Sequence, residues 1–349
     1  MSDPMPRPTS EYSARENRLL EIRREAETKG RVEAIGIRPP GAPFPMASPE
    51  TGYYGLPLLK QPPWTWEIPL YFFTGGAAGS AAVLGTVARW IGRDRELARD
   101  CRLVAAVGTA ASSALLIADL GRPQRFLAMM RVFKKQSPMS VGAWTLAVFG
   151  TFSAAAAFAE ILNRSFPSAP LRIVGHLSEG ISALAGLPFS NYTGVLIGAS
   201  VVPLWNENVG TLPLHFGMSG LNSAVSILEL MGHRNRALNA LGMGAAAIET
   251  LEGFSIEISP RPAMKPLKHG RSGRITRLGG VLSGPLPLAL RVAAAFAGRR
   301  RSRQLRRAAA ASSIAGSVLT RVAWVHAGHV SAQDWRLPLE SGRPVMNAK

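Results

Sequence analysis

Cysteine is almost missing. Cys101 is the one cysteine in 349 residues. That excludes an intramolecular disulfide, a four-cysteine iron–sulfur or zinc site, and haem attached through a Cys-x-x-Cys-His motif. Acidic residues are scarce too: 22 Asp and Glu stand against 40 Lys and Arg, a formal net charge of +18. Such an excess suits either nucleic acid or the basic loops and lipid contacts of a membrane protein. Position decides between these, because the basic residues fall mainly between apolar runs, so no nucleic-acid partner is expected. No apolar core follows the first basic residues, so no cleavable signal is expected at the N-terminus.

Charge is absent from long stretches, notably Ile68 to Ala88 and Gly180 to Asn206. About 20 helical residues at 1.5 Å each cross a hydrocarbon core. The expected fold is an all-α integral membrane protein of about eight transmembrane helices in a bundle, occupying residues 61–328. A polar, proline-rich tail (1–60) precedes it and a C-terminal tail (329–349) follows. Glu16 to Lys29 has the composition of a short charged helix, and Pro39, Pro40, Pro43 and Pro45 forbid regular structure after it. The tail is either flexible or an arm laid on a partner subunit.

The first helix is marked most clearly. Trp64 and Trp66 suit a membrane boundary, and Gly75, Gly76 and Gly79 leave a helix face open to a close neighbour. The spacing predicts further helices at about 103–120, 138–160, 212–231, 237–258, 276–297 and 305–327, and one bent helix over 171–206 with a kink at Pro188. Residues 92–102 read as a charged loop. Eight spans put both termini on one side, here termed the near end. Loops at the opposite, far end carry 14 Lys and Arg against 11 at the near end, a slight bias towards a cytoplasmic far end.

Polar residues inside or beside spans are costly and tend to be paired or functional. Glu67, Asp119, Arg122, Ser140, Trp144, His215, Glu249, Glu252 and His326 all fall towards the near end, which predicts one polar cavity there. Asp119-Leu-Gly-Arg122-Pro is either a helix stop with a neutralising ion pair or the wall of a site. Glu249 and Glu252, three residues apart, share a helix face. Two bare carboxylates cannot both stay ionised in a low dielectric, so either one serves proton uptake and release or one pairs with an arginine while the other reaches water. His215 and His326 suit boundary positions, proton carriage, hydrogen bonding to a quinone, or, as a pair, haem ligation; His176 and His233 form a second such pair. Tyr192, in mid-span, needs a hydrogen-bond partner. Tyr71, Trp144 and Trp205 read as boundary-belt residues, and Arg291 and Arg321 as snorkelling side chains.

Four motifs in order, over roughly residues 64–206, resemble those of the NrfD-like membrane subunits of polysulfide reductase and related molybdoenzyme complexes. They are Trp64-x-Trp-Glu-Ile-Pro-x-Tyr71-Phe-Phe-x-Gly75-Gly76-x-x-Gly79, Asp119-Leu-Gly-Arg-Pro-x-Arg125-Phe, Ser137-Pro-Met-Ser140-x-Gly-x-Trp144 and Tyr192-Thr-Gly-x-Leu. The resemblance implies an eight-helix, multi-pass subunit of the bacterial cytoplasmic (inner) membrane with no metal or haem of its own. It implies a quinone or quinol, of menaquinone or ubiquinone type, bound near one membrane face. It also implies an iron–sulfur (4Fe-4S ferredoxin-like) subunit docked there and connected to a molybdopterin-type catalytic subunit. Glu67, Tyr71, Asp119 and Arg122 are the positions it points to most directly. The basic loops Arg122–Lys135 and Arg261–Arg277 are plausible docking surfaces. A proton-coupled small-molecule or ion transporter and a passive membrane anchor are the alternatives.

Overall fold

The charge-free run after Glu67 forms α1 (Glu67–Trp90), the helix on which the bundle is assembled. A computed structural model describes residues 17–22, 24–25, 58–121, 124–334 and 336–340, and every regular element among them is helical. Residues 17–22 are helical; most of the N-terminal tail and Arg122 lie outside the described residues. After α1 come α2 (Arg95–Asp119), α3 (Pro138–Ser165), α4 (Ala169–Gly198), α5 (Leu212–Met231), α6 (Arg236–Ile258), α7 (Gly270–Phe296) and α8 (Arg299–Gln333). Helix α7 is interrupted at Gly284, with Pro285 opening its second half. Five of the eight, α1, α2, α3, α7 and α8, are long and apolar enough to cross a membrane. Helices α4, α5 and α6, of 30, 20 and 23 residues, have the length but carry more polar side chains.

Several helix starts are fixed by side-chain caps. Asp94, Ser137, Ser168 and Asn235 accept from the backbone N–H three residues on, at 3.0, 3.4, 3.4 and 2.7 Å, which satisfies donors the first turn leaves open. The Asp94 cap corrects the expected loop over 92–102: α2 begins at Arg95, and Leu97, Ala98, Cys101 and Arg102 are buried on one of its faces. The expected bent helix over 171–206 also differs. Helix α4 continues through Pro188 and ends at Gly198, and Pro203–Asn206 forms a separate turn of helix.

Helix α1 packs against α2, α4, α5 and α8. Its glycines allow this at close range. A methyl on Gly79 would stand 2.5 Å from the Gly186 carbonyl oxygen of α4, and one on Gly220 of α5 would stand 2.8 Å from the Gly76 oxygen. Successive helices run in opposite directions, as contacts between their ends show. Tyr192, late in α4, donates to the Pro138 carbonyl at the start of α3 at 2.7 Å. At the other end, Arg102 of α2 pairs with Glu160, late in α3, at 2.6 Å and with Glu179, early in α4.

Trp205 plugs the near end. It is fully buried, stacks on Trp64 with ring centroids 5.2 Å apart, and donates its indole N–H to the Trp324 carbonyl of α8 at 2.9 Å. Tyr71 is likewise buried. These two are core residues rather than boundary-belt ones, because the short Pro203–Asn206 helix folds back over the bundle end. Arg291 and Arg321 do not snorkel; both are fully buried among polar partners.

Candidate functional site

The near end of α1 to α4 gathers Glu67 and Tyr71 of the first motif, Asp119 of the second and Tyr192 of the fourth. Glu67 opens α1, where a carboxylate meets the positive end of the helix dipole, and it accepts from the Thr65 hydroxyl. Asp119 closes α2. Both carboxylates stand at the near end of α1 and α2, which run antiparallel. Tyr71, one turn into α1, is buried, as is Tyr192 late in α4. Tyr192 fits against Gly142 of α3, where a methyl would fall 1.8 Å from its ring. One turn deeper, the Thr74 and Ser112 hydroxyls join α1 to α2 at 2.8 Å.

Ser140 has a local role. Its hydroxyl accepts from the Lys134 N–H at 3.0 Å and donates to the Val132 carbonyl at 3.3 Å, which ties the 131–137 turn to the start of α3. Trp144 packs edge-on against Phe133 of that turn, with centroids 6.2 Å apart.

The remaining candidates form a second group around α5. His215 Nδ1 is 2.5 Å from a Glu252 oxygen of α6, and its ring lies 5.9 Å from that of Trp324. Glu249 is buried and accepts from the Asn222 amide at 3.1 Å. Glu249 and Glu252 thus share a face but have different partners, an amide and an imidazole, and neither ion-pairs with an arginine among the described residues. The Arg321 guanidinium donates to the Ser219 hydroxyl at 2.8 Å and to the Ser317 and Phe216 carbonyls at 3.0 and 3.3 Å. It also lies 5.5 Å from the Phe216 ring.

The near-end residues therefore form two groups rather than one cluster, and a run of tilted ring contacts joins them. Tyr71, Phe72, Phe216 and His215 follow one another with centroids 5.7, 5.8 and 5.7 Å apart. His326 is half-buried on α8, and its Nδ1 has no hydrogen-bond partner among the described residues. At the far end, His233 bonds Asp100 at 2.9 Å and His176 lies 3.9 Å from Glu179, so each histidine of that pair faces a carboxylate.

Sequence reasoning missed the continuous polar face of α5. His215, Ser219, Asn222, Ser226 and Glu229 recur at steps of four and three, and all are buried. At its far end Glu229 pairs with Arg291 and Arg306 at 2.7 and 2.6 Å. The spacing was a usable signal, since polar residues at helical period mark one face.

The polysulphide reductase NrfD family matches residues 58–256, more than half of the chain. The chain belongs to the NrfD family. The match begins before Trp64 and ends within α6, so it takes in Glu67, Tyr71, Asp119, Tyr192, His215, Glu249 and Glu252 but not Arg321 of α8. No curated protein matches the sequence. As an NrfD-family protein, the chain is an all-α, multi-pass membrane subunit associated with an oxidoreductase complex.

Proposed function

We propose that this NrfD-family chain is the quinone-reactive subunit of its complex. In this reading it binds a quinone or quinol at the near end of α1–α4 and exchanges electrons with an iron–sulfur subunit docked on that face. The complex sits in the bacterial cytoplasmic membrane, and a molybdopterin-type subunit carries the remote chemistry. One observation supports this most: two carboxylates from different helices, Glu67 at the start of α1 and Asp119 at the end of α2, stand at the same end of the bundle as the buried phenol of Tyr71.

The residue types fit such a substrate. Its carbonyl oxygens need hydrogen-bond donors, which the Tyr71 phenol can supply, and its ring needs an apolar floor, which Phe72 supplies. Quinol oxidation yields two protons and two electrons. Neighbouring carboxylates that repel each other when ionised are suited to take a proton and pass it on. The electrons go to the partner's cluster. Arg122, which follows Asp119 in the motif, joins the site in this reading. Lys134, Lys135, Lys265, Arg271 and Arg274 are exposed at the near end and suit an acidic docking surface. The alternatives, a transporter or a passive anchor, need no such set beside a partner-facing surface.

The test is quinol-dependent electron transfer by the purified complex. Glu67→Gln and Asp119→Asn should each lower kcat/KM by about 10²-fold, the usual scale for loss of a proton-transfer group, while the partner subunits still copurify. Full activity in both variants with intact assembly would leave only a tethering role.

A further inference from the structure

At the far end, away from the proposed quinone site, the ends of α1 and α3 and the starts of α2 and α4 enclose a cavity of about 570 Å³. Its wall carries Arg89, Arg93, Arg95, Arg102, Arg172 and His176. Two carboxylates answer them, Glu160 in the wall and Glu179 behind it, and both are engaged by Arg89 and Arg102. That leaves Arg93, Arg95 and Arg172, exposed and with no carboxylate within ion-pair distance among the described residues. Arg89 and Arg102 form the inner wall; Arg102 is buried and held in place by its two acids. The cavity is thus a preformed, net-cationic recess, large enough for a small charged headgroup.

A second feature concerns Arg93. Its φ is +53°, in the left-handed region that ordinarily goes to glycine or asparagine, although Gly92 stands next to it. Backbone strain kept at a residue that lines a cavity fits a role for its side chain.

The surroundings identify the occupant. Ile161, Ile173, Val174 and Leu177, each beside or within one position of a wall residue, are exposed and apolar, as are Phe158 and Phe166. Trp90 lines the recess and meets His176 edge-on with centroids 6.0 Å apart. A soluble anion has no use for such a rim, whereas an acyl chain does. From the arginine-lined cavity and its apolar rim, we propose that this recess holds the phosphodiester headgroup of an anionic phospholipid, with its chains on the outer faces of α3 and α4. Basic pockets between spanning helices bind acidic lipid headgroups by this chemistry. No bond is made or broken, and the site is independent of the quinone reading.

Native mass spectrometry of the complex, exchanged into mild detergent and supplied with dioleoyl phosphatidylglycerol, tests it, with dioleoyl phosphatidylcholine and inorganic phosphate as separate arms. One phosphatidylglycerol should be retained per chain and phosphatidylcholine should not. Arg93→Ala/Arg172→Ala should lower retention by about 25-fold, because each arginine near an acidic lipid contributes about a factor of five. Arg300→Ala, on an exposed residue at the same membrane end, should retain the lipid. Arg93→Gly separates a binding role from a structural one: it should raise Tm by relieving the backbone while weakening lipid retention. Equal retention in the double variant, equal loss in Arg300→Ala, or lipid displacement by millimolar phosphate would overturn the proposal.

Discussion

Replacing Gly142 with alanine would place a methyl carbon 1.8 Å from Cζ and 2.1 Å from the hydroxyl oxygen of Tyr192. Carbon atoms pack at about 3.5–4.0 Å, so the ring or helix α3 must move by roughly 1.5 Å or more. The phenol is held by one hydrogen bond, to the Pro138 carbonyl at 2.7 Å. A shift of that size breaks it at a cost of about 1 kcal/mol. Overpacking adds about 1–3 kcal/mol, so the total loss of stability is about 2–4 kcal/mol. Tyr192→Phe should lose only the hydrogen bond, about 1 kcal/mol. Gly142→Ala/Tyr192→Ala removes the clash, so the two costs should fall well short of adding. If Tyr192 helps to hold the quinone, Gly142→Ala should also cut quinol oxidation by about 10²-fold, the usual penalty for misplacing a positioning group by an ångström. Thermal unfolding of the detergent-solubilised complex and a steady-state quinol assay measure the two effects. Wild-type Tm and rate in Gly142→Ala would refute the reasoning, since the clash follows directly from the packing of α3 on α4.

Two further outcomes follow from the same contacts. Arg102→Ala leaves Glu179, which is 3% exposed, with Arg89 as its remaining guanidinium partner; stability should fall by about 1.5–3 kcal/mol, read as a lowered Tm, because a buried carboxylate loses one of its two charged hydrogen-bond partners. Trp205→Ala removes a fully buried indole and its bond to Trp324 and should cost about 3–5 kcal/mol, with proteolysis near residues 199–211 as a second readout.

What could be read from the sequence depended on range. Helix α1 was legible because a charge-free run, boundary tryptophans and small residues agree locally. The start of α2 was misread because Arg95, Arg99, Asp100 and Arg102 look like a loop, although Asp94 is a cap and Leu97, Ala98 and Cys101 are a buried stripe. Arg102 could not be placed at all, since its partners Glu160 and Glu179 lie 58 and 77 positions away. Arg321 was read as reaching for water because long cations in a span usually do; it stays inside because Ser219 and Ser317 offer oxygens at its own depth. Counting spans put Glu67 and Asp119 at one end of the bundle. The separation of His215, Glu249 and Glu252 into a second group depends on the rings of Phe72 and Phe216, which no spacing rule locates.

The polar face of α5 has a consequence for how the protein is made. A segment with His215, Asn222, three serines and Glu229 along one buried side is a poor candidate for entering lipid alone, and α5 is not among the five helices apolar enough to cross. A carboxylate carried into a spanning helix without a partner is costly, and the cations that neutralise Glu229 arrive 62 and 77 residues later, as Arg291 and Arg306. While the chain is being synthesised, α5 must therefore wait at the translocon or against α1 and α4 until α7 and α8 emerge. The C-terminal half of the bundle should then enter the bilayer as a unit, and a ribosome stalled before residue 291 should leave α5 extractable from the membrane.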